Sequence, residues 1–251
     1  MMKLLENQVA FVTGGGSGIG RATAIAMAHQ GANVAIADLD RTSAETVASD
    51  VRAIGREALA IPLDVCDRAA VDAAIDRIVI DWGRLDCAFN GAGIALEDTT
   101  TPWGERERYD RLIAVNQHGV LNCMTAELRH MAPGRRGAIV NASSIAGEAG
   151  VGGGGYCASK HAVIGLTRSA AIHYAPDGIR INAVCPAAID TPMVAETMRD
   201  AQAARIIAGM HPMNRLGEAR EVADAVVFLC SHWASFITGH ALAVDGGYLA
   251  R

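Results

Sequence analysis

The sequence predicts an α/β fold in which one doubly wound, parallel sheet is flanked by helices. Short apolar runs of strand length alternate with Ala-rich stretches of helical length along the chain. The first apolar run leads into a Gly-rich turn that opens a helical stretch, which is typical of the first unit of such a sheet. No linker or change of composition interrupts the 251 residues, so we expect a single domain over 1–251.

Composition and charge argue against several kinds of partner. The net charge is −5 without a basic cluster, which argues against nucleic acid and anionic membranes. No apolar run reaches the roughly 18 residues that span a membrane, and the first residues lack the apolar segment of a signal peptide. The six cysteines form no Cys-x-x-Cys pair and are expected to be free thiols. We therefore expect a cytoplasmic protein with no metal site.

The first strand and helix predict a phosphate-binding turn. Val9–Thr13 is an apolar run of strand length, and 21–30 is a helical stretch. Between them, Gly14, Gly18 and Gly20 allow an anion to approach backbone N–H groups and a helix N-terminus. The spacing is Gly-x-x-x-Gly-x-Gly rather than Gly-x-Gly-x-x-Gly, so an ordinary β–α turn is the alternative interpretation.

An acidic residue ends the second predicted strand, Asn33–Asp38. Asp38 lies 18 residues after Gly20, where a carboxylate can bond a ribose 2′-hydroxyl and repel a 2′-phosphate. Two unit charges about 4 Å apart repel by about 4 kcal/mol at an effective dielectric of 20. This predicts a preference for NAD over NADP, which Arg41 would weaken if it paired with the phosphate. A helix-capping carboxylate is the alternative.

The remaining elements continue the alternation. A second small-residue turn, 90–93, follows a strand, at the sheet edge where open parallel sheets bind ligands. Four consecutive glycines, 152–155, predict a loop that is mobile or closely approached by other atoms. We expect strands at 58–63, 85–89, 137–144, 179–184 and Ala241–Val244, and helices at 41–54, 68–82 with Asp67 as its cap, 109–131, 156–174, 191–210 and 221–230.

Tyr156 and Lys160 lie four residues apart and therefore one turn from each other on the same helix face. A tyrosine normally loses its proton near pH 10, and a neighbouring ammonium favours the phenolate. Lowering the phenol pKa to about 7 takes roughly 4 kcal/mol, at about 1.36 kcal/mol per unit. The product is a general base suited to an alcohol substrate. Taken alone, such a pair is more often a surface contact.

Together these segments resemble the short-chain dehydrogenase/reductase family, over nearly the whole chain from Val9 to Gly247. The resemblance implies a Rossmann-type domain with a seven-stranded sheet in the order 3-2-1-4-5-6-7. It also implies a homotetramer built partly on the two long helices that contain Asn116 and Tyr156. The matching segments are Thr13-Gly14-x-x-x-Gly18-x-Gly20, Asp38, Asp64-Val65, Asn90-x-Ala92-Gly93, Asn116, Ser143-Ser144-x-x-Gly147, Tyr156-x-x-x-Lys160 and Asn182-x-x-x-Pro186.

The resemblance implies catalytic and binding roles for the matched residues. Tyr156 would be the general acid/base, and Lys160 would lower its pKa and hold the nicotinamide ribose. Ser144 would bond the substrate oxygen, and Asn116 would hold a water that links Lys160 to solvent. The residues expected to bind NAD are Gly14, Ser17, Gly18, Ile19, Gly20, Asp38, Leu39, Asp64, Val65, Asn90, Ala92, Gly93, Tyr156, Lys160, Pro186, Ile189 and Thr191. Those expected to contact the substrate are Ser144, Tyr156, Ile94 and Met193.

Three departures from the family pattern concern the site. The catalytic serine usually lies 13 residues before the tyrosine, which matches Ser143, whereas the local Ser-x-x-Gly pattern matches Ser144, which lies 12 before. We favour Ser144 and keep Ser143 as the alternative. The usual Asn-Asn-Ala-Gly has Gly91 in second place, which predicts a looser turn. The usual Pro-Gly is Pro186-Ala187, which predicts a different loop shape because alanine disfavours positive φ.

These residues predict an NAD-dependent oxidoreductase that transfers hydride between a secondary alcohol and a ketone, with NAD as cofactor and a small molecule as substrate. One alternative is a dinucleotide-binding regulatory or scaffold protein of the same fold without activity. A methyltransferase is less favoured, because its reaction does not need Tyr156 and Lys160. A nucleotide-sugar epimerase or dehydratase is also less favoured, because no second substrate domain is predicted after the sheet. Apolar pocket candidates are Ile94, Ile145, Val151, Ala188, Met193 and Met210, although the methionines also suit a core.

Overall fold

Seven parallel strands form the central sheet of the computed structural model, which describes residues 3–96, 105–195 and 197–251. The order in the sheet is β3-β2-β1-β4-β5-β6-β9, which confirms the predicted order, β9 being its seventh strand. The strands are β1 (Val9–Thr13), β2 (Asn33–Asp38), β3 (Ala58–Pro62), β4 (Cys87–Asn90), β5 (Gly137–Ala142), β6 (Ile179–Pro186), β7 (Ile189–Asp190), β8 (Gly217–Glu218) and β9 (Ala241–Val244).

Helices cover both faces of the sheet. One apolar cluster joins the sheet to α1, α2 and α8, and the other joins it to α3, α5 and α6. The helices are α1 (Gly18–His29), α2 (Arg41–Ala53), α3 (Arg68–Trp82), α4 (Arg106–Leu112), α5 (Gly119–Gly134), α6 (Gly154–Tyr174), α7 (Ala201–Gly209) and α8 (Ala219–Cys230).

The central strands are apolar on both sides because each side faces a helix layer. In β1, Val12 packs in the first cluster and Phe11 in the second, and all five residues of the strand are buried. The neighbouring strands show the same alternation, with Ile36 in the first cluster and Ala35 in the second. This two-sided burial explains why the strands read as continuous apolar runs.

The long helix predicted over 109–131 is wrong in its interior. The structure has α4, then a π-helical segment at Ile113–His118, then α5. Within this segment, Asn116 is fully buried and its side chain bonds both backbone groups of Ile94. Because a π turn adds one residue to the helical repeat, it lets this side chain face the end of β4.

The helix predicted over 191–210 is also corrected. Only α7 and a short 3₁₀ turn at Thr197–Arg199 are helical among the described residues of this stretch. Asp200 starts α7, because its carboxylate accepts from the backbone N–H groups of Gln202 and Ala203. On either side of this stretch, β7 and β8 pair as a small second sheet, which the sequence did not predict because each strand has two residues.

The glycine run at 152–155 leads into α6, and the predicted close approach of other atoms is found at Gly155. Gly153 is the N-cap, and helix α6 begins at Gly154. A Cβ at Gly155 would lie 3.0 Å from Cδ1 of Leu112 and 3.2 Å from Cδ2 of Tyr109. The close approach of α4 therefore accounts for glycine at this position. Among the described residues, no helix has the length and apolarity needed to cross a membrane.

Candidate active site

A cavity of about 620 Å³ opens at the carboxyl ends of β1, β2 and β4. This is the edge where an open parallel sheet is expected to bind a ligand. Of the residues predicted to bind the cofactor, Gly14, Ser17, Gly18, Ile19, Gly20, Asp38, Leu39, Asp64, Val65, Ala92, Gly93 and Thr191 line it. The structure therefore brings residues from four separate motifs to one cleft.

The glycine turn has the geometry of a backbone cradle. A Cβ at Gly20 would lie 2.0 Å from the carbonyl oxygen of Gly14, so no side chain fits there. Gly14 has φ +63°, and a Cβ there would lie 2.9 Å from the backbone of Ala92. The two predicted turns, one after β1 and one after β4, are thus in direct contact. The N-terminus of α1 faces the cavity between them.

Asp38 lies at one end of this cavity. Its Oδ2 accepts the N–H of Gly16 at 2.9 Å, and its Oδ1 accepts the N–H of Asp40 at 3.0 Å. These bonds fix the carboxylate against the glycine turn. Leu39 beside it is 74% exposed, and Arg41 is exposed at the start of α2. The residues present therefore suit the adenosine end of a dinucleotide.

A smaller cavity of about 110 Å³ adjoins the first and is lined by three of the four predicted catalytic residues, Asn116 being the exception. Ile94 and Thr191 line both cavities, so the two are neighbouring parts of one cleft. The lining of the smaller cavity includes both candidate serines, Ser143 and Ser144, and the predicted Tyr156, Lys160, Pro186, Ile189 and Met193, together with Phe89 and Val194. Apolar side chains thus surround a small set of polar groups.

Lys160 is buried against the end of β5. Its Nζ donates to the carbonyl oxygen of Ala142 at 2.8 Å and lies 5.5 Å from the ring centroid of Tyr156. Burial lowers the pKa of Lys160 to about 8, and the neighbouring Cys185 opposes this shift. An ammonium at this distance from the ring favours a negative charge on the phenol oxygen.

The two serines at the end of β5 differ in their surroundings. Ser143 donates from Oγ to the carbonyl oxygen of Lys160 at 2.9 Å, and a Cβ at Gly147 would lie 2.4 Å from this Oγ. Ser144 caps a short 3₁₀ turn, where its Oγ accepts from Ala146 N at 3.2 Å. Its own donation reaches Pro186 O at 3.4 Å, which is long. The Ser144 hydroxyl proton is therefore the more easily redirected toward a substrate.

Asn116 connects the π-helical segment to the turn at 91–93 after β4, called here the cofactor turn because it lines the larger cavity. Its Oδ1 accepts from Ile94 N at 2.8 Å, and its Nδ2 donates to Ile94 O at 2.9 Å and to Ser159 Oγ at 3.2 Å. A Cβ at Gly93 would lie 3.3 Å from Asn116 Oδ1 and 3.5 Å from Lys160 Nζ. The side chain thus braces the turn next to Lys160. The predicted water relay stays a prediction.

Some predicted residues lie away from both cavities. Asn90 is buried behind the cofactor turn, where its amide donates to Glu127 and Asn141. Ile145 and Val151 do not line the cavity around Tyr156, and Met210 is exposed at the end of α7. Ala188 lines a separate cavity of about 300 Å³. Ala187 has no positive φ, so its loop follows a path that alanine can adopt.

Several residues line the larger cavity without having been predicted. Arg111, Ala114 and Val115 come from the end of α4 and the π-helical segment. The others adjoin predicted positions and could have been found as their neighbours: Ala37, Leu63, Cys66, Gly91 and Pro192. Within the described part of the chain, no group of His, Cys, Asp and Glu forms a metal-ligand cluster.

Comparison with known proteins identifies the family. A family model described as enoyl-(acyl carrier protein) reductase matches residues 14–249. The chain is 40% identical over 252 residues to cyclohexanol dehydrogenase of Acinetobacter sp. (strain SE19), covering all of this chain and 98% of the relative. This chain belongs to the short-chain dehydrogenase/reductase family. Like other members of the family, it is an oxidoreductase with a nicotinamide dinucleotide cofactor.

Other short-chain dehydrogenase/reductases extend the similarity. The chain is 44% identical over 251 residues to cis-4-hydroxycyclohexanecarboxylate dehydrogenase of Sinomonas cyclohexanicum, covering all of both chains. The crystal structure of levodione reductase superposes with a TM-score of 0.94 at 37% identity, covering 98% of this chain and 99% of that one. ElxO with NADP bound gives a TM-score of 0.90 at 35% identity, with coverage of 98% and 100%.

Proposed function

We propose that this protein interconverts a secondary alcohol and a ketone with NAD, and that Tyr156 is its general acid/base. The observation that carries the proposal is the placement of Tyr156, Lys160 and Ser144 in one small cavity that adjoins the glycine-lined cleft. NAD supplies the hydride acceptor when it is bound in that cleft. The residues of the chain supply the proton acceptor and the orientation of the substrate.

Tyr156 takes the hydroxyl proton of the alcohol in the forward direction and returns it in the reverse direction. Lys160 makes this possible, since its buried ammonium favours the phenolate. Ser144 donates a hydrogen bond to the substrate oxygen and so holds it beside the phenol. In the alternative assignment, Ser143 would have to release its bond to the Lys160 carbonyl first.

The cofactor preference rests on Asp38. Its carboxylate is held by two backbone N–H groups and cannot move away from a 2′-phosphate without losing them. The NADP-bound relative supports the opposite preference. Comparing kcat/KM for NAD and NADP tests the proposal, and we expect NAD to be favoured at least tenfold, or about 1.4 kcal/mol. Equal values would show that Asp38 does not select the cofactor.

The substrate proposal is a secondary alcohol on a six-membered ring. Phe89, Ile94, Ile189 and Met193 give the smaller cavity an apolar lining. Two of the similar dehydrogenases are named for cyclohexanol and a hydroxycyclohexane carboxylate. A screen that follows NADH absorbance with cyclohexanol and its open-chain isomers tests this. We expect cyclohexanol to have the higher kcat/KM, and equal or lower values would contradict a ring-specific pocket.

We also propose that the protein forms a homotetramer in the cytoplasm, with α5 and α6 in the interface. Leu121 on α5 and Ile172 on α6 are large apolar side chains that are 43% and 80% exposed. Exposed apolar side chains on neighbouring helices support an interface between copies. Light scattering after gel filtration measures the mass, and a monomer would contradict the assembly. Cell fractionation tests the location.

A further inference from the structure

A buried carboxyl group lies behind the cofactor turn and has no part in the function described above. Glu127 on α5 is fully buried. Its Oε2 accepts a hydrogen bond from Nδ2 of Asn90 at 3.2 Å. Asn90 ends β4 and is followed directly by the turn at 91–93, which lines the larger cavity. Glu127 therefore contacts the residue from which this turn starts.

A series of hydrogen bonds fixes the orientation of the Asn90 amide. Thr167 on α6 donates to the carbonyl oxygen of Val163 and accepts from Nδ2 of Asn141 at 2.9 Å. Asn141 in turn accepts at Oδ1 from Nδ2 of Asn90 at 3.0 Å. One Asn90 N–H is thus directed to Asn141 and the other to Glu127. The remaining polar atom of the Asn90 side chain, Oδ1, can only accept.

Two atoms of this cluster lack a partner among the described residues. They are Oδ1 of Asn90 and Oε1 of Glu127, both buried. A carboxylate has no proton to donate, so two buried acceptors would both stay unpaired, which is strongly unfavourable. A proton on Oε1 changes this, because the acid O–H can donate to the amide oxygen. One proton then satisfies both atoms.

We propose that Glu127 is a neutral carboxylic acid that donates its O–H to Oδ1 of Asn90, and that this acid–amide pair holds the 91–93 turn in the shape that binds the cofactor. Glu127 is then a positioning residue that acts through Asn90. The effect on binding rests on the proposed function of the cleft, whereas the protonation of Glu127 does not.

The charges around Glu127 agree with a neutral acid. Burial raises the pKa of Glu127 to about 8, and the hydrogen bond from Asn90 lowers it only in part. On α5, the nearby Cys123 also has a raised pKa, through burial and through Glu127. The strands β4 and β5 present the neutral amides of Asn90 and Asn141. The charged groups on the packed helices have other partners. Asp72 and Asp76 of α3 pair with Arg129, and Asp76 also pairs with His130. Lys160 of α6 donates to the carbonyl oxygen of Ala142.

Ionisation has a defined consequence for the turn. Above about pH 8, Glu127 loses the proton that joins it to Asn90 Oδ1, and both atoms are then buried acceptors without a donor. The turn at 91–93 loses part of its support. Cofactor binding should therefore weaken in the alkaline range through Glu127, even though this residue does not line the cavity.

Glu127→Gln and Glu127→Met separate the hydrogen bonds from the titration. Glutamine can donate to Asn90 Oδ1 and accept from Asn90 Nδ2, but it does not ionise. Methionine fills the space and makes neither bond. The measurement is the Kd of NADH by fluorescence titration at about pH 6.5 and about pH 9.5, together with the infrared C=O band of a protonated carboxylic acid at neutral pH.

We expect the wild-type Kd to rise about tenfold more than that of Glu127→Gln between the two pH values, with equal Kd at the lower pH. Glu127→Met should have a Kd raised about tenfold at both. The acid band should be present in the wild type and absent in Glu127→Gln. The proposal is overturned if Glu127→Gln keeps the alkaline rise, if it binds as weakly as Glu127→Met at low pH, or if the wild type lacks the band. Should Glu127→Met not fold, the other two proteins decide; should NADH not bind at all, the proposed function fails and the band still tests Glu127.

Discussion

At the scale of single residues, the proposed mechanism makes Tyr156 the proton acceptor. Tyr156→Phe removes only the phenol oxygen, so the cleft keeps its shape and the proton acceptor is lost. We expect kcat to fall by about 10³-fold, within the range for a general acid/base, while the Kd of NADH stays nearly constant. Steady-state kinetics and fluorescence titration measure both. Tyr174→Phe on the same helix is the matched control and should keep full activity; a Tyr156→Phe variant with near-normal turnover would rule out the mechanism.

The paired serines give a second prediction at this scale. Ser144→Ala should reduce kcat by about 10²-fold, because a hydrogen bond to the reacting oxygen is lost. Ser143→Ala should mainly reduce stability, since its hydroxyl serves the carbonyl oxygen of Lys160. Kinetics and thermal melts on both variants distinguish the two roles. The opposite pattern would assign catalysis to Ser143.

Lys160 predicts an unusual dependence of stability on pH. Its folded pKa of about 8 lies below the value of 10.5 for an exposed lysine, so between these values the unfolded chain holds a proton that the folded chain has lost. Stability from this group therefore rises with pH in that window, by up to about 1.36 kcal/mol per unit. Lys160→Met should lack this rise and melt no lower than the wild type at pH 7.

Thermal melts between about pH 7 and about pH 10 compare the two proteins. Lys3→Met is the control, because Lys3 is exposed and pairs only loosely with Glu6, at 4.0 Å. If the melting temperatures of wild type and Lys160→Met change with pH in the same way, the lowered pKa of Lys160 is contradicted. The difference in melting temperature between the two proteins also measures how much the buried ammonium of Lys160 destabilises the fold.

At the scale of elements, the π-helical segment contacts the end of the turn after β4 through the side chain of Asn116, which bonds Ile94. Asn116→Ala leaves the N–H and the carbonyl of Ile94 without these partners. We expect the free energy of unfolding to fall by about 2 kcal/mol, because a buried polar pair is left unsatisfied. We also expect a lower kcat. Denaturant unfolding measures the first effect. Gln117→Ala in the same segment is the control, and equal losses in both variants would argue against a specific role for Asn116.

The elements also show what a sequence can and cannot predict here. The positions of the strands and of the glycine turns were predictable because burial on both faces and close backbone contacts restrict the residue types allowed. The strand order was implied by the resemblance to the family. The π-helical segment was not predictable, since contacts made by its side chains, such as that of Asn116 with Ile94, join residues that are distant in sequence. The contact between Asn90 and Glu127 was not predictable, because the sequence of a helical stretch does not show that Glu127 is buried.

At the scale of the whole molecule, the cleft is assembled from both halves of the chain. The first half supplies the cradle and Asp38, and the second supplies Ser144, Tyr156 and Lys160. The two meet along the sheet row in which Thr13, Asn90 and Asn141 are neighbours in register. Thr13 Oγ1 also accepts from Ala92 N at 3.2 Å, so this row supports the turn from below. A change in the row should therefore affect cofactor and substrate binding together.

The small sheet of β7 and β8 holds the two ends of the stretch 191–216 together. Ile189 pairs with Gly217 and Asp190 with Glu218, so the stretch leaves and re-enters the body of the protein at one place. Its replacement by the equivalent stretch of a related dehydrogenase does not require the central sheet to be rethreaded. We expect such a chimera to keep a cooperative thermal transition and to shift its relative kcat/KM among ring alcohols toward the donor's preference. If the chimera folds but keeps the original preference, the specificity lies in the sheet-borne residues, and variation in this family would have to act on the core to change substrates.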